Sequence, residues 1–275
     1  MAVVNTNTNA LFAQNALKIN NRNLSTAIEQ LSSGSRINSA KDDAAGMAIA
    51  STMTAQIRGL NQAVRNANDG ISMLQTAEGS MSQQANILQR MRELAIQAST
   101  GTYSSSQRGY LQTEFSALTT QIGNIASQTT WNGVNILDGT GGSSGSFDIQ
   151  VGTASGQTIT VSIANVTASS SGLGVSGDIS TASGATTAIS TINDALDTLN
   201  SARATLGAGI NQLTYAADNM SNAIQNYSAS KSQIADTDYA TATSNMARAQ
   251  IIQQAATAML AQANQSPQYV LALLK

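Results

Sequence analysis

The feature that most constrains this sequence is a long heptad pattern between Met53 and Ala95. Apolar residues recur there at alternating spacings of four and three, and only Glu78 and Arg92 interrupt them. A repeat of 3.5 residues keeps one narrow apolar stripe facing a partner helix, as in a coiled coil. A single helix over 47–98 would be about 78 Å long, whereas a compact globule of this chain length has a radius of gyration of about 19 Å. The pattern therefore predicts a rod.

A second heptad pattern of similar length occupies 186–234, interrupted at Arg203 and Lys231. Each narrow stripe needs a mate, and the two lie at opposite ends of the chain. They therefore predict a long-range antiparallel pair. The predicted fold class is mainly α, a long antiparallel coiled-coil helical rod with a small β-hairpin at the tip.

Three glycines test whether the first long helix is continuous. Gly59, Gly70 and Gly79 each cost about 1 kcal/mol relative to alanine inside a helix, and Asn68-Asp69-Gly70 is the weakest point. The heptad register nevertheless continues through all of them. We therefore predict one unbroken helix.

Smaller elements are predicted between the two long helices. Apolar spacing predicts a helix over 106–128, and Asn132-Gly133 is a turn signal. Period-two alternation on both sides of a turn at 152–157 predicts a β-hairpin within 130–165. The Ser/Gly/Ala/Thr-rich stretch 167–187 is predicted to be a surface loop, and by composition it is the most exposed part of the chain.

A polar connector over 35–46 precedes the first long helix. Ser39 and Asp42 fit the spacing of a capping box, and Asp42 with Asp43 suits the positive end of the helix dipole. Catalytic carboxylates would need a partner acid or base nearby, and this stretch supplies none. Helix capping is therefore the preferred interpretation.

Both chain ends carry apolar stripes that are too weak to fold alone. The first stripe stops at Ser33-Gly34, a helix stop signal. Its large side chains contribute about 6 to 12 kcal/mol if fully buried, whereas ordering the roughly 23 residues of this segment costs about 1 kcal/mol or more for each residue in backbone entropy. The final stripe consists mostly of small residues, and Pro267 is predicted to end its helix. The residues predicted to pack these ends are Leu17, Leu24, Ile28, Leu31, Ile252 and Met259.

The apolar tail after Pro267 is interpreted as a docking element or a buried plug, with a frayed end as the alternative.

Composition points to burial of the polar surface. Charged residues make up 10% of the chain against a typical ~25%. Serine, threonine, asparagine, glutamine and alanine suit a surface packed against other copies, because amides and hydroxyls pair without the desolvation cost of charges. A low-complexity, disordered chain is the alternative, and the heptad patterns argue against it.

Several function classes are disfavoured by residue content. The net charge of −2 gives no electrostatic footprint for nucleic acid. The absence of cysteine and histidine removes disulfides, thiol nucleophiles, His-based triads and HExxH zinc sites, so we expect no cofactor.

The first ten residues lack the basic and apolar regions of a secretory signal, and no apolar run approaches the ~18 residues of a membrane span. We therefore expect no membrane insertion, and export by a route that reads another signal.

Four stretches together closely resemble bacterial flagellin, and the resemblance covers nearly the whole chain. It implies an inner core domain of residues 1–34 plus 238–275, in which the terminal helices pair, and an outer core domain over 47–237. The chain looks like a minimal flagellin with no separate outer domain. The stretches that carry the resemblance are 31–46, Gln89-Arg-Met-Arg-Glu-Leu-Ala-Ile-Gln97, Asn132-Gly-Val-Asn-Ile-Leu137 and 264–275.

The resemblance implies a structural subunit that polymerises with its own copies into the flagellar filament, an extracellular helical tube used as a propeller. It implies type III export without a cleaved signal peptide, and an export chaperone, a filament cap and hook-junction proteins as partners. Residues 1–33 and 238–275 of the free subunit are expected to be disordered and to become helical in the filament. The alternative is a minor hook-filament junction protein. An enzyme is not expected, because the chain lacks histidine and a middle insert.

The resemblance also implies recognition by hosts. The patch contacted by the vertebrate Toll-like receptor for flagellin matches Gln89, Arg90, Leu94, Gln97, Leu111 and Glu114 here. Arg90 and Glu114 offer charge-assisted hydrogen bonds. Leu94 lies one position before Ala95, which belongs to the apolar stripe of the first heptad pattern. Its side chain is therefore expected to reach a groove on a partner. The apolar ending resembles the segment read by cytosolic flagellin sensors and wrapped by the chaperone, with a lysine where arginine is common at its last position. Its residues are Val270, Leu271, Leu273, Leu274 and Lys275.

Overall fold

The computed structural model describes the backbone of residues 6–272 and the side chains of residues 6–265. The chain divides into two compact units, Met1–Gln56 with Asn226–Lys275, and Ile57–Gln225. The domain bounds inferred from the sequence remain a prediction. The helices and strands are α1 (Thr8–Ser33), α2 (Ala44–Ser99), α3 (Ser105–Gln128), β1 (Thr130–Trp131), β2 (Val134–Asn135), β3 (Ser146–Gln150), β4 (Thr158–Ser162), α4 (Ala182–Ala235) and α5 (Tyr239–Ala272).

The two heptad patterns form the long helices α2 and α4, and α2 runs through Gly70 without a break. Within 57–225 the two helices are antiparallel, because Glu78 contacts Arg203 whereas Arg92, later in α2, contacts Asn193, earlier in α4. The mainly helical fold class with small antiparallel strands is confirmed. The large apolar residues of the two heptad patterns that are fully buried include Leu74, Met81, Leu88, Leu199, Leu206 and Leu213.

Three of the four charged residues that interrupt the heptad patterns, Glu78, Arg92 and Arg203, have polar partners on the opposite helix. Arg203 donates to Oε1 of Glu78 at 2.6 Å, and both side chains are only about one-third exposed. Arg92 Nε donates to Oδ1 of Asn193 at 2.9 Å. Charge-assisted hydrogen bonds of this kind offset part of the desolvation cost at a partly buried position. These three interruptions are therefore polar contacts of the helix pair.

Helix α3 returns along α2 in antiparallel orientation. A capping box formed by Ser104 and Gln107 begins the helix. Near its other end, Nε2 of the fully buried Gln84 donates to the carbonyls of Ile122 and Val166 at 3.1 Å each. This one side chain ties α2 both to α3 and to the chain that follows the second hairpin.

Two short hairpins follow α3. β3 and β4 pair with Ile149 opposite Ile159, on the two sides of the predicted turn at 152–157. The turn at Asn132-Gly133 was predicted, but the strands β1 and β2 beside it were not. Asn132 and Gly133 have φ of 49° and 79°, the positive values that a two-residue type I′ turn requires. Strands of two residues are too short to produce a periodic pattern.

The prediction of an exposed surface loop over 167–187 is wrong in two respects. Helix α4 already begins at Ala182. Three apolar side chains of the loop, Leu173, Val175 and Ile179, are buried. Each of them stands alone among small polar residues, so the average composition of 167–187 is polar and does not indicate a buried segment. Ser169 and its neighbours are exposed as predicted.

The capping prediction at the start of α2 is confirmed for Asp43 but wrong for the Ser39–Asp42 pair. Asp43 caps the helix, because its Oδ1 accepts the N–H of Gly46 at 2.8 Å. Asp42 instead closes the preceding turn by accepting from the backbone and hydroxyl of Ser39. These bonds, led by the hydroxyl, lower the pKa of Asp42. The Ser39–Asp42 spacing therefore marks a turn rather than a capping box.

The prediction that Pro267 ends the last helix is wrong, because α5 continues to Ala272. Proline has no N–H, so the carbonyl of Ala263, four residues earlier, lacks its helical donor. Asn7 supplies one, since its Nδ2 donates to that oxygen at 2.8 Å while its Oδ1 accepts the N–H of Ala10 and caps α1. The compensating residue lies far away in sequence, so local pattern reading missed it.

The helical glycines give a matched test of the packing around α2. A Cβ at Gly79 would meet nothing within 4 Å, whereas one at Gly70 would overlap Cδ1 of Ile149 and lie 3.2 Å from Leu213. We expect Gly79→Ala to raise the free energy of unfolding by about 1 kcal/mol. Gly70→Ala should lower it, because overpacking costs about 1 to 3 kcal/mol. Urea unfolding measures both, and equal gains for the two variants would contradict the packing described.

Candidate functional site

Helices α1 and α5 pair in antiparallel orientation. The Tyr239 hydroxyl donates to the carbonyl of Leu31 at 3.2 Å, and Nδ2 of the buried Asn20 donates to the carbonyl of Ala249 at 2.7 Å. Small side chains let the two backbones approach closely. The buried alanines of the pair are Ala10, Ala27, Ala242 and Ala249. Because small residues and amide-to-backbone bonds make much of this contact, several larger apolar side chains remain exposed beside it.

These larger side chains line an apolar groove on the α1–α5 pair. Phe12 is 78% exposed and Met259 is 65% exposed, and Ile252 also lines the groove. The rest of the lining is alanine with Asn9 and Gln262, and the groove volume is about 860 Å³. Among the described side chains, none that lines this groove is charged. We call this feature the terminal groove.

The residues predicted to pack the chain ends lie on this helix pair. Ile28, Ile252 and Met259 are exposed. The three leucines, Leu17, Leu24 and Leu31, are half-buried. Phe12, the largest side chain that lines the terminal groove, was not among the predicted residues. Phe12 follows Leu11 in an otherwise polar segment, and this pair of large apolar residues could have indicated a contact surface.

The six residues matched to the receptor patch lie on α2 and α3, and their burial differs. Gln89, Arg90, Gln97 and Glu114 are exposed, and Leu111 is half-buried. Leu94 is only 1% exposed. The expectation that its side chain reaches a partner groove is therefore wrong for this structure. Helix α2 packs against both α3 and α4, so its buried face is wider than a coiled-coil seam and includes Leu94 beside Ala95.

An exposed ion-pair cluster lies at the centre of this patch. Arg90 Nη1 donates to Glu93 Oε2 at 3.0 Å, and Arg90 Nε donates to Glu114 Oε1 at 3.0 Å. Hydrogen bonds to Glu93 and then Glu114 raise the pKa of Arg90. Exposed ion pairs contribute little to folding stability. The cluster is therefore available to a partner at little cost to the fold.

The predicted C-terminal segment lies at the limit of the description. Val270 and Leu271 belong to the backbone of α5, without described side chains. Leu273, Leu274 and Lys275 lie outside the described residues. Over residues 6–272 no helix is long and apolar enough to cross a bilayer. The described part of the chain also contains no acidic cluster of three or more residues suited to a metal ion.

Comparison with known proteins identifies the family. The model of the bacterial flagellin N-terminal helical region matches residues 4–141, and that of the C-terminal helical region matches residues 189–274. A flagellin of Xenorhabdus nematophila is 43% identical across 100% of this chain and 99% of its own length. The chain belongs to the flagellin family. The resemblance inferred from the sequence is thus confirmed.

Some flagellins are much longer than this family member. A flagellin of Escherichia coli O127:H6 is 52% identical over 60% of this chain, and the chain spans only 29% of that relative's length. The crystal structure of Bacillus cereus flagellin aligns with a TM-score of 0.51 and 33% identity, covering 57% of this chain and 88% of that one. The flagellin regions matched by the family models contain both α1 and α5, and thus the whole terminal groove.

Proposed function

We propose that this flagellin-family chain is the structural subunit of a bacterial flagellar filament, which polymerises into a helical tube and serves as a propeller for swimming. The terminal groove is the observation that carries the proposal. Flagellin-family membership supports it, and so does the full-length match to a flagellin. A minor hook-filament junction protein is the less supported alternative.

A second copy of the chain is the occupant that best suits the terminal groove. Burying a phenylalanine or methionine side chain contributes about 1.5 to 3 kcal/mol, and Phe12 and Met259 have most of that burial still to gain. The groove lacks charges, so covering it avoids the large desolvation cost of ions. Its flanking amides can pair with amides of a neighbour. This function requires no catalysed reaction and no cofactor.

The same packing supports coupling of folding to assembly. The α1–α5 contact buries mostly alanine, which releases little free energy. Terminal segments that are disordered in the free subunit would gain the missing burial in the filament. In this proposal the subunit leaves the cell through the flagellar export apparatus, accompanied by a chaperone on its C-terminal segment, and is added beneath a filament cap.

Seeded growth tests the proposal. We expect the purified chain to extend short filament fragments into long filaments, with length measured by electron microscopy. Amide exchange should be fast in α1 and α5 of the free chain and slow after growth. Seeds that fail to grow, or a free chain fully protected in both helices, would contradict it. Filament fragments without added chain provide the control.

We also propose that the free subunit is recognised by the Toll-like flagellin receptor of hosts. The supporting observation is the exposed cluster of Arg90 with Glu93 and Glu114, flanked by Gln89 and Gln97. Leu111 is half-buried and adds apolar area. Leu94 then acts indirectly, by holding α2 in place from the buried side. Recognition of the C-terminal segment by cytosolic sensors remains a prediction.

A further inference from the structure

Methionine is the sulfur-containing residue of this chain, which has nine methionines and no cysteine. Oxidants that react with sulfur therefore meet thioethers only. Among the described side chains the exposed methionines are Met47, at 39%, and Met259, at 65%. The buried methionines of the 57–225 unit are Met73, Met81, Met91 and Met220.

The most exposed of these methionines lies in the terminal groove. Met259 lines it with Phe12 and Ile252, and the few polar side chains there are Asn9 and Gln262. A thioether is apolar and adaptable, which suits packing in such a groove. Its sulfoxide is a polar hydrogen-bond acceptor. Covering a sulfoxide with a neighbouring copy would desolvate it where few donors can compensate.

We propose that Met259 is a reversible oxidation site through which a hydroperoxide blocks incorporation of the subunit, an inference that depends on the proposed filament function. The thioether sulfur attacks one peroxide oxygen, the O–O bond breaks and an S–O bond forms. For hydrogen peroxide, the other oxygen leaves as water after taking up the remaining hydrogen. The sulfur loses two electrons and the peroxide gains them. A methionine sulfoxide reductase reverses the change.

Assembly state determines when this site reacts. In the free chain, Met259 faces solvent. In the filament, a neighbouring copy covers the terminal groove and keeps peroxide away from the sulfur. Oxidation therefore acts on subunits that have not yet been incorporated and spares filaments already built.

The test compares seeded growth before and after brief treatment of the free chain with hydrogen peroxide. We expect treatment to raise the critical concentration of the wild type by about tenfold or more, and reductase treatment to restore it. Met259→Leu, which keeps an apolar side chain, should grow normally and resist peroxide. Met47→Leu, at the other methionine that is exposed among the described side chains, should remain sensitive. Peptide mass spectrometry should find Met259 sulfoxide in the treated free chain and much less in treated filament.

Two results would overturn this inference alone. One is untreated Met259→Leu growing normally but losing growth on oxidation as much as the wild type. The other is equal oxidation of Met259 in free chain and filament. Failure of the untreated wild type to extend seeds would instead overturn the proposed function, and this inference with it.

Discussion

Replacing Phe12 with aspartate is expected to abolish filament growth while leaving the free chain unchanged. Phe12 is 78% exposed, so the folded chain loses little packing. In the filament the variant forfeits about 1.5 to 3 kcal/mol of aromatic burial and must also desolvate an unpaired carboxylate. Since about 1.4 kcal/mol corresponds to a factor of ten, we expect the critical concentration for seeded growth to rise by at least about a hundredfold.

Phe12→Leu is the matched control for this experiment. It keeps an apolar side chain in the terminal groove, and growth should fall only slightly. Circular dichroism and urea unfolding of both variants should match the wild type, which separates an assembly defect from a folding defect. If Phe12→Asp extends seeds as well as Phe12→Leu, then the terminal groove is not the assembly surface.

Reversing the charge of Arg90 is expected to reduce receptor signalling by the free chain strongly. Arg90→Asp places a new carboxylate beside Glu93 and Glu114, and removes the cation that both contact. If the receptor covers this cluster, losing one partner of a charge pair buried in the interface costs about 2 to 5 kcal/mol. We therefore expect the half-maximal concentration in a reporter-cell assay to rise by at least about tenfold.

Arg92→Asp provides the comparison on the same helix. It makes the same charge change, but Arg92 contacts Asn193 of α4 rather than the acidic pair. Its signalling should stay close to wild type. Both variants should unfold at nearly wild-type urea concentrations, because both arginines are exposed and polar contacts of exposed charged side chains contribute only about 0 to 1 kcal/mol. An Arg90→Asp chain that signals like the wild type would remove this surface from the proposal.

The long elements could be predicted from the sequence because they repeat. The heptads predicted α2 and α4, and the pairing of Glu78 with Arg203 explains why their register tolerates charge. Features that depend on distant contacts could not be predicted. The donor that lets α5 continue past Pro267 is Asn7, from the other end of the chain. Likewise, Leu94 is buried because α2 packs against two helices, whereas the heptad pattern describes one seam.

The candidate surfaces were predictable only in part. Ile252 and Met259 followed from apolar spacing at the end of the chain, and the structure places them in the terminal groove. Phe12 lies before the apolar stripe that begins at Leu17, so the periodic pattern did not predict that it packs against another element. For the receptor patch, the resemblance to flagellins indicated which positions to consider, and the structure shows how exposed each side chain is. Burial of one member among exposed neighbours depends on tertiary packing that a sequence pattern does not contain.

The pairing of α1 with α5 also bears on how the chain is made. The hydrogen bond from Asn7 to Ala263 spans 256 positions. The residues of α1 therefore leave the ribosome long before those of α5 are synthesised. Synthesis at about 5 to 20 residues per second leaves the nascent N-terminal segment alone for many seconds. A translation product halted before Tyr239 would carry that segment without any of the residues that bury it.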